Sequence, residues 1–229
     1  MKIAIIPARG GSKRIPYKNI IDFCGKPMIA YALEAALNSR LFDKIHVSTD
    51  SEKIAQIVDS LGYTIDFMRP AGLADDHTGI IPVLKNVLKE FDNRKQTYKH
   101  VLALMPCCPL LLTDDILRGY SKFRSFGGKR PLHVVTPYPV PIEWAYDRNN
   151  AGVLIPRNPG AYAVRSQDLK PAYYECGPFS IFHRNHILSE TPATDEGFCS
   201  ITIPRSQAVD IDEPEDLILA ESMFRALNS

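Results

Sequence analysis

The N-terminal segment limits the possible folds of this chain most severely, because residues 3–19 read IAIIPARGGSKRIPYKN. The run from Ile3 to Ile6 is apolar and rich in β-branched residues, which predicts a buried strand that ends at Pro7. A basic loop with two adjacent glycines follows at once. In open α/β sheets, ligands bind outside the carboxyl ends of the strands. The segment therefore predicts an α/β fold with a ligand-binding loop after its first strand.

The loop carries the residue types that bind a polyphosphate. Gly10 and Gly11 allow backbone N–H groups to turn toward one point, and Ser12 adds a hydroxyl. Four cations belong to the same segment: Arg9, Lys13, Arg14 and Lys18. The sequence matches neither GxxxxGK[ST] nor GxGxxG, so the two best-known phosphate loops are excluded. We expect a phosphate-binding loop of another type, with a solvated basic surface loop as the alternative.

The following residues alternate between strand and helix patterns. The predicted helices cover residues 28–37, 51–61 and 80–91, and the predicted strands cover residues 44–48, 64–68, 100–105, 131–138 and 199–204. This alternation is typical of a mostly parallel sheet. Asp50 follows the second strand and is interpreted as a turn residue or a helix cap. The loop RPAGLADDHTG, with Thr78 near its end, either contacts a ligand or caps the next helix.

The alternating pattern breaks in the middle of the chain. Residues 137–178 contain many prolines, aromatic residues and asparagines, without a sustained helical period. We expect a hairpin-rich insertion there and not a second domain, so that residues 1–229 form a single domain.

Composition restricts the possible partners. The net charge of +1 gives no global indication of binding to nucleic acid or to an anionic membrane. No apolar run approaches the length of a membrane helix, and the chain enters a strand without a signal segment, so we expect a cytoplasmic protein. The five cysteines have no metal-type spacing, and in a reducing compartment they are expected to be buried apolar residues.

A pair of acidic residues near the C-terminus suggests a metal site. Asp210 and Asp212 flank Ile211 at strand spacing, which predicts that both carboxylates lie on one face and require a cation between them. Oxygen ligands next to phosphates suit Mg²⁺. The alternative is helix capping, because Asp212 and Glu215 have the spacing of a capping box, with Pro214 near the helix start. The two roles are compatible.

Two segments carry a resemblance to a known family. ARGGSKRIPYKNI and the later GKPMIAYALEAAL resemble the start of the acylneuraminate cytidylyltransferase family, also called CMP-sialic acid synthetases, and the SKRIP form of the loop is usual in its pseudaminic acid enzymes. The resemblance implies a three-layer α/β/α, Rossmann-like nucleotidyltransferase fold. It also implies transfer of CMP from CTP to a nine-carbon acid sugar, with release of pyrophosphate.

The resemblance further implies roles for individual residues. Arg9, Lys13 and Lys18 would hold the triphosphate and act in catalysis, and Mg²⁺ would bind Asp210 and Asp212. The other implied nucleotide contacts are Ala8, Gly10, Gly11, Ser12, Asn19 and Thr78. The insertion would form an arm that packs on a second subunit of a homodimer and completes its sugar pocket. Arg165, Gln167 and Tyr174 would bind the sugar there, because guanidinium binds carboxylate in a two-pronged geometry.

The chain departs from the family pattern in two places. Met105, Cys107 and Cys108 replace polar residues that read cytosine in the sialic acid enzymes, and Pro178 replaces a side-chain amide in the segment YECGPFS. These departures leave two alternatives open. The acceptor could be another acid sugar, namely legionaminic, N-acetylneuraminic or keto-deoxyoctonic acid. Alternatively, the protein could bind the nucleotide without catalysis.

Overall fold

The structure is a computed structural model that describes residues 1–190 and 197–228. Its strands are β1 (Lys2–Pro7), β2 (Asp22–Phe23), β3 (Lys26–Pro27), β4 (Lys44–Ser48), β5 (His100–Leu104), β6 (Leu132–Pro137), β7 (Tyr146–Arg148), β8 (Leu154–Pro156), β9 (Tyr173–His183) and β10 (Cys199–Thr202). Its α-helices are α1 (Met28–Asn38), α2 (Glu52–Ser60), α3 (Ile80–Asn93), α4 (Thr113–Ser125), α5 (Arg184–Leu188) and α6 (Pro214–Leu227).

Six strands form one mixed sheet in the order β10-β6-β9-β5-β1-β4. Strand β1 pairs in parallel with both β4 and β5, and β10 pairs in parallel with β6. Strand β9 alone among these runs antiparallel to its neighbours β5 and β6. The prediction of a mostly parallel α/β sheet is confirmed.

Helices cover both faces of the sheet, which gives the expected three layers. Alternate residues of β1 point to opposite faces: Ala4 and Ile6 belong to a core shared with α1, α2 and α4, whereas Ile3 and Ile5 belong to a core shared with α3 and α5. These β1 side chains are completely buried. Because β1 is buried on both faces, its apolar run is continuous and does not alternate with polar residues.

The predicted strand at residues 64–68 is wrong. The segment has no ladder pairing and lies beside β4, the edge strand, which it contacts mainly through side chains. Asp66 accepts hydrogen bonds from Lys44 Nζ at 2.7 Å and pairs with His46 Nδ1 at 3.3 Å. These contacts, together with Phe67 packing on His46, hold the segment without strand hydrogen bonds.

The predicted C-terminal boundary of the insertion, residue 178, falls inside the central sheet. Strand β9 begins at Tyr173, and its pairing with β6 is irregular between His133 and Val135. Gly177 adopts a positive φ of 70° at this irregularity, next to Pro178. A bulge accommodates a proline because no ladder hydrogen bond is required of it. The first half of this strand falls in the predicted insertion because proline and glycine normally indicate a loop.

The insertion itself contains the two-stranded sheet of β7 and β8 and three short 3₁₀ helices. Many of its apolar side chains are exposed, and they include Val140, Ile142, Val153, Leu154, Ile155 and Tyr162. In the described part of the chain, no helix has both the length and the apolar character needed to cross a membrane.

Candidate active site

A cavity of about 490 Å³ opens at the carboxyl ends of β1 and β5. We call it the cleft. Eight of the residues predicted to form a site line it: Arg9, Ser12, Lys13, Lys18, Asn19, Thr78, Asp210 and Asp212. Segments far apart in sequence thus meet at the edge of the sheet, where ligands of such folds bind.

The glycine-rich loop is held by the start of α2. The Gly10 N–H donates to Asp50 Oδ1 at 2.9 Å, so Asp50 anchors the loop, a role that the sequence analysis did not assign. A Cβ atom on Gly10 would lie 2.9 Å from Ser51 Cβ, whereas one on Gly11 would meet nothing within 4 Å. Ser51 caps α2, because its side chain accepts a hydrogen bond from the Ile54 N–H. Glycine is therefore required at position 10 by close approach.

Three backbone N–H groups in and next to the loop, those of Ala8, Gly10 and Ser12, are bonded within the protein. The Ala8 N–H donates to the Ser48 carbonyl at 2.9 Å, and the Ser12 N–H donates to the Gly10 carbonyl at 3.1 Å. Neither Gly10 nor Gly11 has a positive φ. Ala8, Gly10 and Gly11 are not among the residues that line the cleft. An anion in the cleft would therefore bind mainly to side-chain cations and less to backbone amides.

Two loop cations contact one carboxylate. Arg9 Nη1 lies 3.1 Å from Asp76 Oδ1, and Lys13 Nζ contacts Asp76 Oδ2. Arg9 Nη1 also donates to the Asp75 carbonyl at 2.6 Å. The hydrogen bond from Lys13, followed by the charges of Lys13 and Arg9, lowers the pKa of Asp76. Asp76 is therefore ionised at neutral pH.

Asp75 shapes the turn that presents Asp76. Its Oδ1 accepts hydrogen bonds from the N–H groups of His77 at 2.8 Å and Thr78 at 2.6 Å. These bonds lower the pKa of Asp75. The loop RPAGLADDHTG faces the cleft, whereas α3 has Gly79 as its N-cap and no side-chain capping bond, so the capping alternative is not realised.

Asp212 pairs with the two other loop cations. Lys18 Nζ lies 3.0 Å from Asp212 Oδ1, and Arg14 Nη2 lies 2.8 Å from Asp212 Oδ2. Burial opposes ionisation of Asp212, but the hydrogen bonds from Lys18 and Arg14 outweigh it, so its pKa is lowered. Lys18 Nζ also donates to the Ile211 carbonyl at 2.5 Å, which ties the N-terminal loop to the C-terminal segment.

Asp210 behaves differently from Asp212. Desolvation by the walls of the cleft and the negative charge of Asp212 raise its pKa. In the described residues Asp210 has no ion pair, in contrast to Asp212, so its carboxylate is available to a cation in the cleft. The expectation of strand geometry here is wrong, because residues 205–213 form no strand.

The predicted capping box of Asp212 and Glu215 is also wrong. Asp216 Oδ2 accepts hydrogen bonds from the N–H groups of Asp212 at 3.0 Å and Glu213 at 2.7 Å, so the capping contact lies one residue later. Asp212 is thereby left to face the loop cations. No group of three or more metal-binding side chains occurs in residues 1–190 and 197–228. The two carboxylates fit Mg²⁺ in the mode in which one or two protein ligands act together with substrate phosphates.

Arg69 is a wall residue of the cleft that the sequence analysis did not single out. Its Nη2 donates to the Ser48 carbonyl at 2.6 Å and its Nε donates to Ser48 Oγ at 3.1 Å. Desolvation lowers its pKa, which the nearby charge of Asp50 opposes. In the sequence, Arg69 is marked only by its position before Pro70 in the loop RPAGLADDHTG, and such a position does not reveal burial.

Two of the departures from the family pattern, Met105 and Cys107, line the floor of the cleft, whereas Cys108 and Pro178 do not line it. Cys107 Sγ donates to Asn19 Oδ1 at 3.1 Å, and Asn19 Nδ2 donates to the Arg9 carbonyl at 2.9 Å. The Met105 N–H donates to the Pro178 carbonyl at 2.9 Å. Burial raises the pKa of Cys107 to about 12, so its thiol is protonated and is not a nucleophile.

The three predicted sugar-binding residues lie outside the cleft of the same chain. Arg165 Nε pairs with Asp168 Oδ2 at 2.9 Å on an exposed turn, and Gln167 belongs to that turn. Tyr174 lies on β9 and packs against Tyr138, with ring centroids 4.9 Å apart. A single chain therefore does not bring these side chains to the loop cations.

Comparisons with known proteins identify related chains. A family model described as Cytidylyltransferase matches residues 3–121. The chain is 36% identical, over 97% of its length and 96% of the relative's, to a pseudaminic acid cytidylyltransferase of Campylobacter jejuni. It is 30% identical, over 97% of its length and 95% of the relative's, to a CMP-N,N'-diacetyllegionaminic acid synthase of Legionella pneumophila.

A solved structure shares the fold. It is that of a CMP:2-keto-3-deoxy-manno-octonic acid synthetase complexed with CTP, with a TM-score of 0.70 and 19% sequence identity over 99% of both chains. At this identity the likeness concerns the fold, and it agrees with the three-layer arrangement described above.

Proposed function

This chain belongs to the cytidylyltransferase family, and we propose that it transfers CMP from CTP to a nonulosonic acid sugar, with pseudaminic acid as the acceptor. The observation that carries the proposal is the meeting of four loop cations with Asp210 and Asp212 in one cleft. A triphosphate requires concentrated positive charge, and phosphoryl transfer depends mainly on positioning and on charge neutralisation.

In the proposed reaction, the anomeric hydroxyl oxygen of the sugar forms a bond to the α-phosphorus of CTP. The bond from that phosphorus to the bridging oxygen of the β-phosphate breaks, and pyrophosphate leaves with that oxygen. The hydroxyl proton is released to solvent or to a base. Arg9, Lys13 and Lys18 would bind the triphosphate and stabilise the charge that develops on the leaving pyrophosphate.

Asp210 and Asp212 would hold a magnesium ion next to the phosphates. Bound there, Mg²⁺ would neutralise phosphate charge and polarise the reacting oxygens. The raised pKa of Asp210 supports this assignment, because an unpaired, desolvated carboxylate gains most from a cation. Lys18 and Arg14 would keep Asp212 ionised and oriented.

The proposed acceptor follows from sequence similarity. The pseudaminic acid enzyme is 36% identical to this chain, compared with 30% for the legionaminic acid enzyme. The SKRIP form of the loop, which is usual in the pseudaminic acid enzymes of the family, points in the same direction. Legionaminic acid is the second candidate, because the relative that makes its CMP derivative matches nearly the whole chain.

We further propose that two copies of the chain associate through the insertion. Of the 21 large hydrophobic residues that are exposed in the described part of the chain, ten lie between Tyr138 and Tyr173. Apolar surface at this density is typical of an interface. Such a dimer would bring Arg165, Gln167 and Tyr174 of one copy to the cleft of the other, where the acid sugar would bind.

The test is pyrophosphate release from CTP and Mg²⁺ with pseudaminic, legionaminic, N-acetylneuraminic and keto-deoxyoctonic acids, with UTP and ATP as nucleotide controls. We expect turnover with CTP and pseudaminic acid, and loss of turnover when EDTA removes the metal. Turnover with another acid alone would replace the acceptor and leave the reaction class intact. CTP binding without turnover on any acid would favour a nucleotide-binding protein.

A further inference from the structure

The inference concerns Asp76, which the proposed function does not use. Its carboxylate contacts both Arg9 and Lys13, two of the cations assigned to the triphosphate. Because the Asp76 carboxylate contacts both cations, a phosphate oxygen can bind them closely only by replacing this carboxylate or by lying beside it. The second arrangement places like charges next to each other, which is unfavourable.

The position of Asp76 does not depend on its ion pairs. Asp75 holds the turn through hydrogen bonds to the N–H groups of His77 and Thr78, and Arg9 stays bonded to the Asp75 carbonyl at 2.6 Å. The Asp76 side chain is about one-third exposed, and that of Lys13 is 78% exposed. The carboxylate can therefore leave the cations by rotation of its side chain, without loss of the turn.

We propose that Asp76 is an internal competitor for the polyphosphate, whose carboxylate exchanges with phosphate oxygens at Arg9 and Lys13 and thereby promotes release of pyrophosphate. The inference rests on the proposed function. Its physical basis is that cations strong enough to hold a triphosphate also retain the pyrophosphate product. A nearby carboxylate supplies the same cations with a replacement partner when the product leaves.

Asp212 provides a contrast. It also pairs with two loop cations, Arg14 and Lys18, but its neighbour Asp210 provides a second carboxylate that suits a metal ion. Asp76 has only Asp75 beside it, and the Asp75 carboxylate is occupied by backbone N–H groups. Asp76 therefore acts on the loop cations and not on the metal.

The test compares Asp76→Asn with wild type by isothermal titration with sodium pyrophosphate and with CTP, both without Mg²⁺. The amide keeps the size of the side chain and removes its charge. We expect the dissociation constant for pyrophosphate to fall about three- to tenfold, the range expected for the loss of exposed ion pairs and a like charge. In turnover assays, the inhibition constant of pyrophosphate should fall by the same factor.

The matched control is Asp59→Asn, which removes the same charge from the exposed face of α2, outside the cleft. It should leave both dissociation constants unchanged. Unchanged or weaker pyrophosphate binding by Asp76→Asn would overturn the inference. Weaker binding seen only with Mg²⁺ present would assign Asp76 to the metal site and would also overturn it. If the wild type bound neither ligand even with Mg²⁺ present, the proposed function itself would fail.

Discussion

Cys107 Sγ donates a hydrogen bond to Asn19 Oδ1 at 3.1 Å, and this contact determines which way the Asn19 amide points. With its oxygen engaged by the thiol, Asn19 donates through Nδ2 to the Arg9 carbonyl at 2.9 Å. The Cys107 thiol thus acts as a donor, and through Asn19 it connects the floor of the cleft to the glycine-rich loop.

The first prediction concerns this contact. Cys107→Val removes the donor at similar size and should raise the KM for CTP about two- to fivefold with little effect on kcat, because a lost neutral hydrogen bond costs about 0.5–1 kcal/mol. Cys107→Ser retains a donor and should stay close to wild type. Steady-state kinetics measures both, and equal KM values for the two variants would show that the thiol does not position Asn19.

The second prediction separates the two glycines of the loop. Gly10→Ala should lower the free energy of unfolding by about 1–3 kcal/mol, because the new Cβ would lie 2.9 Å from Ser51 Cβ and force the loop away from α2. Gly11→Ala meets nothing within 4 Å and has no positive φ, so it is the matched control and should be nearly neutral. Denaturant unfolding of both variants tests this. If both variants lost the same free energy of unfolding, the close approach to Ser51 would not be the reason for glycine at position 10.

The third prediction concerns catalysis by the loop cations. Arg9→Ala should reduce kcat/KM for CTP on the order of 100-fold, by analogy with the loss of one transition-state donor. Arg225→Ala is the control, because it removes an exposed arginine that pairs with Glu221 on α6, at 2.9 Å and outside the cleft. It should retain nearly full activity. Near-wild-type activity of Arg9→Ala would remove Arg9 from the catalytic assignment.

The fourth prediction tests sharing of the site between two copies. Arg9→Ala and Arg165→Ala should each retain only a small residual activity, but a mixture that exchanges subunits should regain about a quarter of wild-type activity. Half of randomly formed dimers are mixed, and each mixed dimer has one intact site.

A mixture of Arg9→Ala with Lys18→Ala is the control, since both changes damage the same cleft and no mixed dimer would have an intact site. Recovery in neither mixture, while Arg165→Ala has lost activity and the protein is dimeric, would contradict sharing of the site between two copies.

The fifth prediction concerns pH and stability. Burial, followed by the charge of His183 and nearby cations, lowers the pKa of His100 to about 4. The unfolded chain takes up a proton at this histidine near pH 6.5, and the folded chain does so only near pH 4, so stability should decrease as the pH falls between these values. The maximal slope is about 1.4 kcal/mol per pH unit for one proton.

His100→Phe preserves the ring that packs edge-on against Phe123 and removes the titration. The difference between wild type and variant should therefore depend on pH between about 4 and 6.5, in denaturant unfolding measured at several pH values. His46 and His183 also have lowered pKa values and should leave part of the dependence in the variant. A difference that is constant with pH would mean that His100 protonates equally in both states.

Much of the fold was predictable from the sequence because it depends on local patterns. The apolar run of β1, the stripes of α1 and α3 and the Ser51 cap were all visible as periodicity or residue type. The strand at residues 64–68 was predicted wrongly because its apolar residues pack on β4 without ladder hydrogen bonds. Strand β9 was overlooked because Gly177 and Pro178 resemble a loop, although the sheet accommodates them at a bulge.

The sequence by itself determined the α/β class and located the basic glycine-rich loop after β1, because these depend on short-range order along the chain. Only the tertiary structure decided which charges face each other: Asp76 with Arg9 and Lys13, and Asp212 with Arg14 and Lys18. Arg14 and Asp212 are separated by almost the whole chain. Ion pairs between such distant residues depend on how the strands and helices pack, and the sequence of either segment contains no local signal for its partner.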